Sequence, residues 1–135
     1  MSSELPFEAE AVLWPHEPGI EQESDAAPLL HRLREALDAV PLEAFRTPAE
    51  MGRSLGAKVV LARLIFPREG WTWYQPQGPL IEIADWLTPE RRPLVVAHEL
   101  CHVILGPPPE RHDLLTERVC NWGAGAIMRR LRAEI

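Results

Sequence analysis

Between residues 95 and 106 the chain reads VVAHELCHVILG, which places two histidines and a glutamate in an otherwise apolar run. Val95, Val96, Leu100, Val103, Ile104 and Leu105 are core formers, and a core takes up an imidazole or a carboxylate only where a partner compensates it. On a helix, residues four apart lie about 40° apart around the axis and one turn along it, so His98 and His102 point the same way. Two imidazole nitrogens on one helix face can share a divalent ion. Glu99, about 100° further round, falls beside such an ion rather than on it. A carboxylate there is suited to take a proton from water on the ion. The plainer alternative is that all three are satisfied polar groups of a core.

The spacing is the H-E-x-x-H zincin signature, which requires a helix. The chain holds its own control: His16-Glu17 also reads HE, but it lies between Pro15 and Pro18 with no second histidine four residues on, and it is assigned no function. A zinc site further needs a third protein ligand and an open position. After His102 the candidates are Glu110, His112, Asp113 and Glu117. Glu117 is preferred, because it lies on the mostly apolar segment LLTERVCNWGAGAIM, where a carboxylate is costly without a compensating partner such as a metal. His112 belongs to a proline-rich connection and is the alternative, or a group that stabilises the oxyanion of a tetrahedral intermediate.

These residues need elements to position them. PLLHRLREALDAV places Leu29, Leu33, Leu37 and Val40 at helical spacing before Pro41. TPAEMGRSLG predicts a compact helix capped by Thr47, with Pro48 in its first position, Glu50 completing a capping box and Gly56 as its stop. AKVVLARLIF, WTWYQ and LIEIA read as three strands separated by PREG and PQGP turns. Pro93 is tolerable only in a first turn, so the histidine helix runs from about Pro93 to Leu105 and ends at Gly106 and the prolines after it. A last helix runs from near Asp113 to about Arg132. Residues 1–27, rich in proline and glutamate with little periodicity, are expected to form an extended, partly mobile arm; residues 28–135 form one domain. The fold class expected is α+β, a three-stranded sheet packed on the histidine helix and the C-terminal glutamate helix. A competing reading makes TPAEMGRSLGAKVVLARL a helix-turn-helix with residues 58–64 as recognition helix; Val59-Val60 and the negative net charge favour a strand there.

Glu117-x-x-x-Asn121 downstream of H-E-x-x-H resembles the gluzincin arrangement, and more specifically the ImmA/IrrE family of metallopeptidases. That family follows its H-E-x-x-H helix with an E-x-x-A-N-x-F-A-like pattern, and ERVCNWGAGAIM stands there in this chain. The similarity runs from a small helix ending LGA through three short strands and TPERRP, over roughly residues 47–131. The resemblance implies that His98, His102 and Glu117 hold the metal, that Glu99 is the catalytic base, and that Asn121 holds a ligand histidine by its free ring nitrogen. The metal implied is zinc, with manganese as the alternative. It further implies a peptidase acting on a specific cellular protein, such as a repressor. The chain departs from the pattern at Cys101, usually Gly, at Cys120, usually Ala, at Trp122-Gly123, usually Phe-Ala, and at Met128-Arg129, where Met-Pro is usual.

In thermolysin-like folds an edge strand beside the active helix pairs with an extended substrate, and WTWYQ is the expected edge. Tyr74 is a candidate for contact with a tetrahedral intermediate, whereas Trp71 and Trp73 can equally be core. Cys101 and Cys120 are expected reduced and mostly buried on facing surfaces of two crossing helices; a disulfide switch would need Cα atoms within about 7 Å.

The net charge of −6 argues against a nucleic-acid surface. The start, MSSELPFEAEAVLW, lacks the basic and long apolar regions of a signal peptide, and no apolar stretch approaches the roughly 20 residues of a membrane span. The expectation is a cytoplasmic protein without membrane or nucleic-acid partners, binding a protein or peptide substrate. Two readings of other classes stand beside the peptidase: a metal-binding regulatory module without turnover, and a toxin- or stress-response component recognised through its acidic arm.

Overall fold

The computed structural model describes residues 17, 19–108 and 114–132. The expectations placed on residues 1–16 and on Glu110, His112 and Asp113 lie outside the described residues.

The segment expected to be an arm folds down where it is described. Two short 3-10 turns, Ile20–Gln22 and Ser24–Ala26, bury Ile20 and Ala26 completely and pack against the C-terminal helix. Two apolar residues six positions apart carry no periodic signal, which is why the sequence shows no element there. Helix α1 (Ala27–Ala39) follows without a break, with Pro28 in its first turn. Its buried stripe is Leu30, Leu33 and Leu37, while Leu29 and Val40 are only partly buried. Val40 is extended, as the residue before a proline must be.

Helix α2 (Pro48–Ser54) is capped by Thr47, whose hydroxyl oxygen accepts from the Glu50 amide at 3.1 Å. The Glu50 carboxylate reaches back to the amide of Arg46 at 2.9 Å, one residue earlier than in an ordinary capping box. Strand β1 (Lys58–Ala62) comes next, in place of any recognition helix. It stops four residues short of Phe66, because the chain must leave it to cross the sheet. The amide of Asp85 bonds the carbonyl of Ala62, and that of Ala84 bonds Glu69, so the connection runs across the end of the neighbouring strand.

Strands β2 (Gly70–Gln75) and β3 (Gly78–Ala84) form an antiparallel hairpin, and β1 pairs with β3 in parallel. The order β1-β3-β2 leaves β3 central and β2 an edge, as expected for WTWYQ. Ile81 and Ile83 of β3 point inward and are buried.

Helix α3 (Arg92–Leu105) lies under this sheet, with Pro93 in its first turn. Every residue from Val95 to His102 is buried, because β2 and β3 cover one side and α1, α2 and the last helix cover the others. The last helix, α4 (Leu114–Arg132), crosses α3 at close range. A Cβ at Gly123 would stand 2.5 Å from the Cys101 sulfur and 2.6 Å from Leu33 Cδ2, so the contact admits no side chain there. Cys101 and Cys120 are both buried and unlinked. Among the described residues the chain is thus an α+β fold of four helices and a three-stranded mixed sheet. Among the described residues, no helix is long and apolar enough to cross a membrane.

Candidate metal centre

Helical spacing brings His98 and His102 together as the sequence requires, with ring centroids 5.0 Å apart. The third group arrives from α4. Glu117 sets one carboxylate oxygen 3.0 Å from His98 Nε2 and the other 2.9 Å from His102 Nε2. One ligand atom from each of the three residues lies within 4.8 Å of the others, a donor set of two imidazoles and one carboxylate. That set fits a divalent ion of the zinc type.

Glu117 does not face the core, as its apolar neighbourhood suggests. Its side chain is 52% exposed, and only the carboxylate end turns onto the buried histidines. Burial pushes its carboxyl up, but the hydrogen bonds from His102 and His98, joined by their charges, outweigh it and hold Glu117 well below the usual carboxylate range. The same contacts act on His102: burial lowers its pKa, and the bond to Glu117 together with the Glu99 and Glu117 charges raises it above the ordinary value.

Glu99 is buried on the side of α3 facing β2. The Thr72 hydroxyl donates to Glu99 Oε1 at 2.6 Å, and Gly70 packs so closely that a Cβ there would stand 2.9 Å from Glu99 Oε2 and 2.7 Å from Val95 Cγ1. Neither Thr72 nor Gly70 stands out as a functional residue in the sequence. The signal is present nonetheless, in the alternation of GWTWYQ: Gly70 and Thr72 turn inward while Trp71 and Trp73 turn outward. Trp73 bonds Glu82 at 2.8 Å, and the Arg68 guanidinium lies over the Trp71 ring, so neither tryptophan is core.

The other expected site residues are distributed differently. Tyr74 donates to the carbonyl of His102 at 3.1 Å and approaches that of Gly106 at 3.4 Å, which ties β2 to the end of α3. The Asn121 amide donates to Glu17 Oε2 at 3.1 Å, a partner other than the ligand histidine that the resemblance implies. Glu17, from the HE pair assigned no function, also accepts from Arg118 Nε at 3.0 Å. No local pattern could have paired residues so far apart in sequence. A cleft of about 660 Å³ opens over His98, Glu99, Glu117 and Asn121, walled on its far side by Ile65 and Pro67.

A peptidase family model described as the IrrE N-terminal-like domain matches residues 54–129, more than half of the chain. The chain belongs to this family. The match spans all three strands, the whole of α3 and α4 as far as Arg129; it leaves out α1 and Glu17. No curated protein and no solved structure matches the chain. Membership of this family is that of a metallopeptidase, and His98, His102 and Glu117 are residues able to hold its metal.

Proposed function

We propose that the protein is a zinc-dependent endopeptidase that cuts a specific cellular protein, such as a repressor. The observation that carries this reading is the convergence of His98, His102 and Glu117 on one another, with His98, Glu117 and the buried Glu99 lining one cleft. A divalent ion held there would make water acidic enough to ionise near neutral pH and would polarise the carbonyl under attack. Glu99 accepts the proton given up by water and delivers it to the nitrogen of the leaving amine. Among the described residues no strand pairs with the outer edge of β2, so its backbone groups can take an extended peptide, and this edge borders the helix that carries Glu99. Zinc suits two imidazoles and a carboxylate, and manganese is the metal to test beside it.

A regulatory metal module without turnover has no use for Glu99, a buried carboxylate that contributes no ligand atom to the set. Metal analysis and proteolysis of candidate cellular proteins separate the two readings. Wild type should carry about one equivalent of zinc and cleave. Glu99→Gln should keep the metal and lose activity by roughly 10²- to 10⁴-fold, the range of a general base. Zinc-loaded wild type that cleaves nothing, or a Glu99→Gln variant as active as wild type, would overturn the proposal.

A further inference from the structure

A buried carboxylate that must accept a proton has two oxygens, and the fold treats the two oxygens of Glu99 differently. Oε1 receives the Thr72 hydroxyl at 2.6 Å, the length of a charge-assisted O–H···O bond. The other acceptor near that hydroxyl is the backbone carbonyl of the same glutamate, at 3.4 Å. Thr72 therefore serves Glu99 alone among the partners found for it. Among the described residues Oε2 has no such donor; it lies against the bare Cα of Gly70, and Gly70 and Glu99 both line the cleft that also holds His98 and Glu117. Any side chain at position 70 would occupy the space this oxygen uses. The arrangement comes from a strand pairing. Gly70 and Thr72 stand opposite Ile83 and Ile81 of β3, so the register of the hairpin fixes both against α3.

We propose that Thr72 is a positioning residue for the reaction, holding Glu99 through Oε1 so that Oε2 is the oxygen that takes the proton. This rests on the peptidase reading. Threonine suits the task because its branched Cβ restricts the rotamer and so fixes the direction of its hydroxyl. A one-ångström misplacement of a reacting group can cost about 100-fold in rate, so a single hydrogen bond that fixes a carboxylate has a measurable kinetic effect.

The test uses the full zinc-loaded chain on internally quenched peptides from a mixed-sequence library, with Thr72→Val, which keeps the shape and removes the hydroxyl, and Thr72→Ser, which restores it. Thr72→Val should lower kcat by about 10- to 100-fold while KM stays within about twofold. Thr72→Ser should recover to within about threefold of wild type. Zinc affinity should hardly move in either variant, whereas the thermal midpoint should fall by several degrees in Thr72→Val, which leaves a buried carboxylate without its donor, and hold in Thr72→Ser. An equal loss of kcat in both variants would show packing rather than the hydroxyl at work, and a loss carried by KM or by zinc affinity would also overturn the proposal. A second readout needs no turnover. In metal-free protein with isotope-labelled glutamate carboxyls, the Glu99 resonance, assigned from Glu99→Gln, should shift in Thr72→Val and hold in Thr72→Ser. If wild type cleaves neither these peptides nor the candidate cellular proteins, the peptidase reading fails on its own; an unmoved Glu99 resonance in Thr72→Val instead removes Thr72.

Discussion

Helices α3 and α4 meet at the same three side chains but reach them by different routes. Helix α3 is buried from Val95 to His102, and its histidines need nothing beyond the helical spacing to face one way. Helix α4 delivers Glu117 from a half-exposed margin, and its next turn is tied by Arg118 and Asn121 to Glu17, more than 100 residues away in sequence. One helix aligns its groups by its own spacing; the other brings its group in through tertiary contacts. Substitutions on the two should therefore fail in different ways.

The largest effect is expected where α4 alone supplies a candidate ligand. Glu117→Ala should weaken zinc binding by well over the roughly 100-fold that marks the upper range for losing an outer hydrogen-bond partner of a ligand. The fold should survive, because the side chain is half exposed and buries no apolar surface of the core. Equilibrium dialysis against zinc with the variant and wild type reads this directly. Full retention of the metal by Glu117→Ala would remove the third ligand and leave the histidine pair without its partner.

Next comes the crossing itself. Gly123→Ala would drive a methyl into the Cys101 sulfur and Leu33, contacts of 2.5 and 2.6 Å before any relaxation. Overpacking of this kind costs about 1–3 kcal/mol, against which alanine returns up to about 1 kcal/mol of helix propensity. A net loss of stability with weaker zinc binding is expected, since Cys101 adjoins His102 and Gly123 lies on the helix that carries Glu117. Denaturant unfolding followed beside zinc titration tests it. An unchanged or raised midpoint would mean that the helices can part without cost.

What was legible in the sequence follows the same division. The histidine helix, the three strands and the last helix are readable because period and punctuation act locally: Pro93, Gly106 and the alternation of LIEIA each decide the backbone within a few residues. His98, Glu99 and His102 share one helix, so that period alone sets their relative directions. Glu117 stands out in the sequence as an acid in an apolar helix; the fold brings it to the two histidines, at the rim rather than toward the core. The parallel pairing of β1 with β3, the burial of Ile20 and the bond from Asn121 to Glu17 depend on contacts between distant segments. No spacing rule reaches them.

Glu17→Ala sharpens this point with a smaller effect. It removes the carboxylate that accepts from both Arg118 and Asn121, one turn from Glu117. Glu17 touches none of the three converging side chains itself, so zinc affinity should fall only a few-fold, less than the roughly 10-fold that marks losing a ligand's own hydrogen-bond partner. The matching change on the α3 side, Glu99→Gln, should leave affinity nearly unchanged. Competition against a zinc-binding dye measures both. Equal affinity in Glu17→Ala and wild type would show that α4 holds its register without the N-terminal segment.

The smallest effect lies at the end of α3, where Tyr74 anchors β2. It is the chain's one tyrosine, so phenolate absorbance reports on it alone. Burial raises its pKa first, and the charges of Cys120, Glu99 and Glu117 add to that, from the ordinary 10.0 to about 12. In the folded state the phenol thus keeps its proton, and its bond to the His102 carbonyl, at pH values where the unfolded chain has already released it. The native state then binds more protons than the unfolded one between about pH 10 and pH 12, so this group's contribution is complete below pH 10 and lost as pH rises through 12. Cys101 and Cys120, also raised by burial, act in the same direction, so the comparison must be made with Tyr74→Phe. That variant should lose about 1 kcal/mol near neutral pH for the missing hydrogen bond and decline less steeply in alkali. Its peptidase activity should stay within about threefold of wild type if the hydroxyl only anchors the strand; a loss of 100-fold or more, the scale of a lost oxyanion donor, would place it on the reacting carbonyl instead. A phenolate midpoint near 10 in protein that remains folded would show that the anchor is open to water.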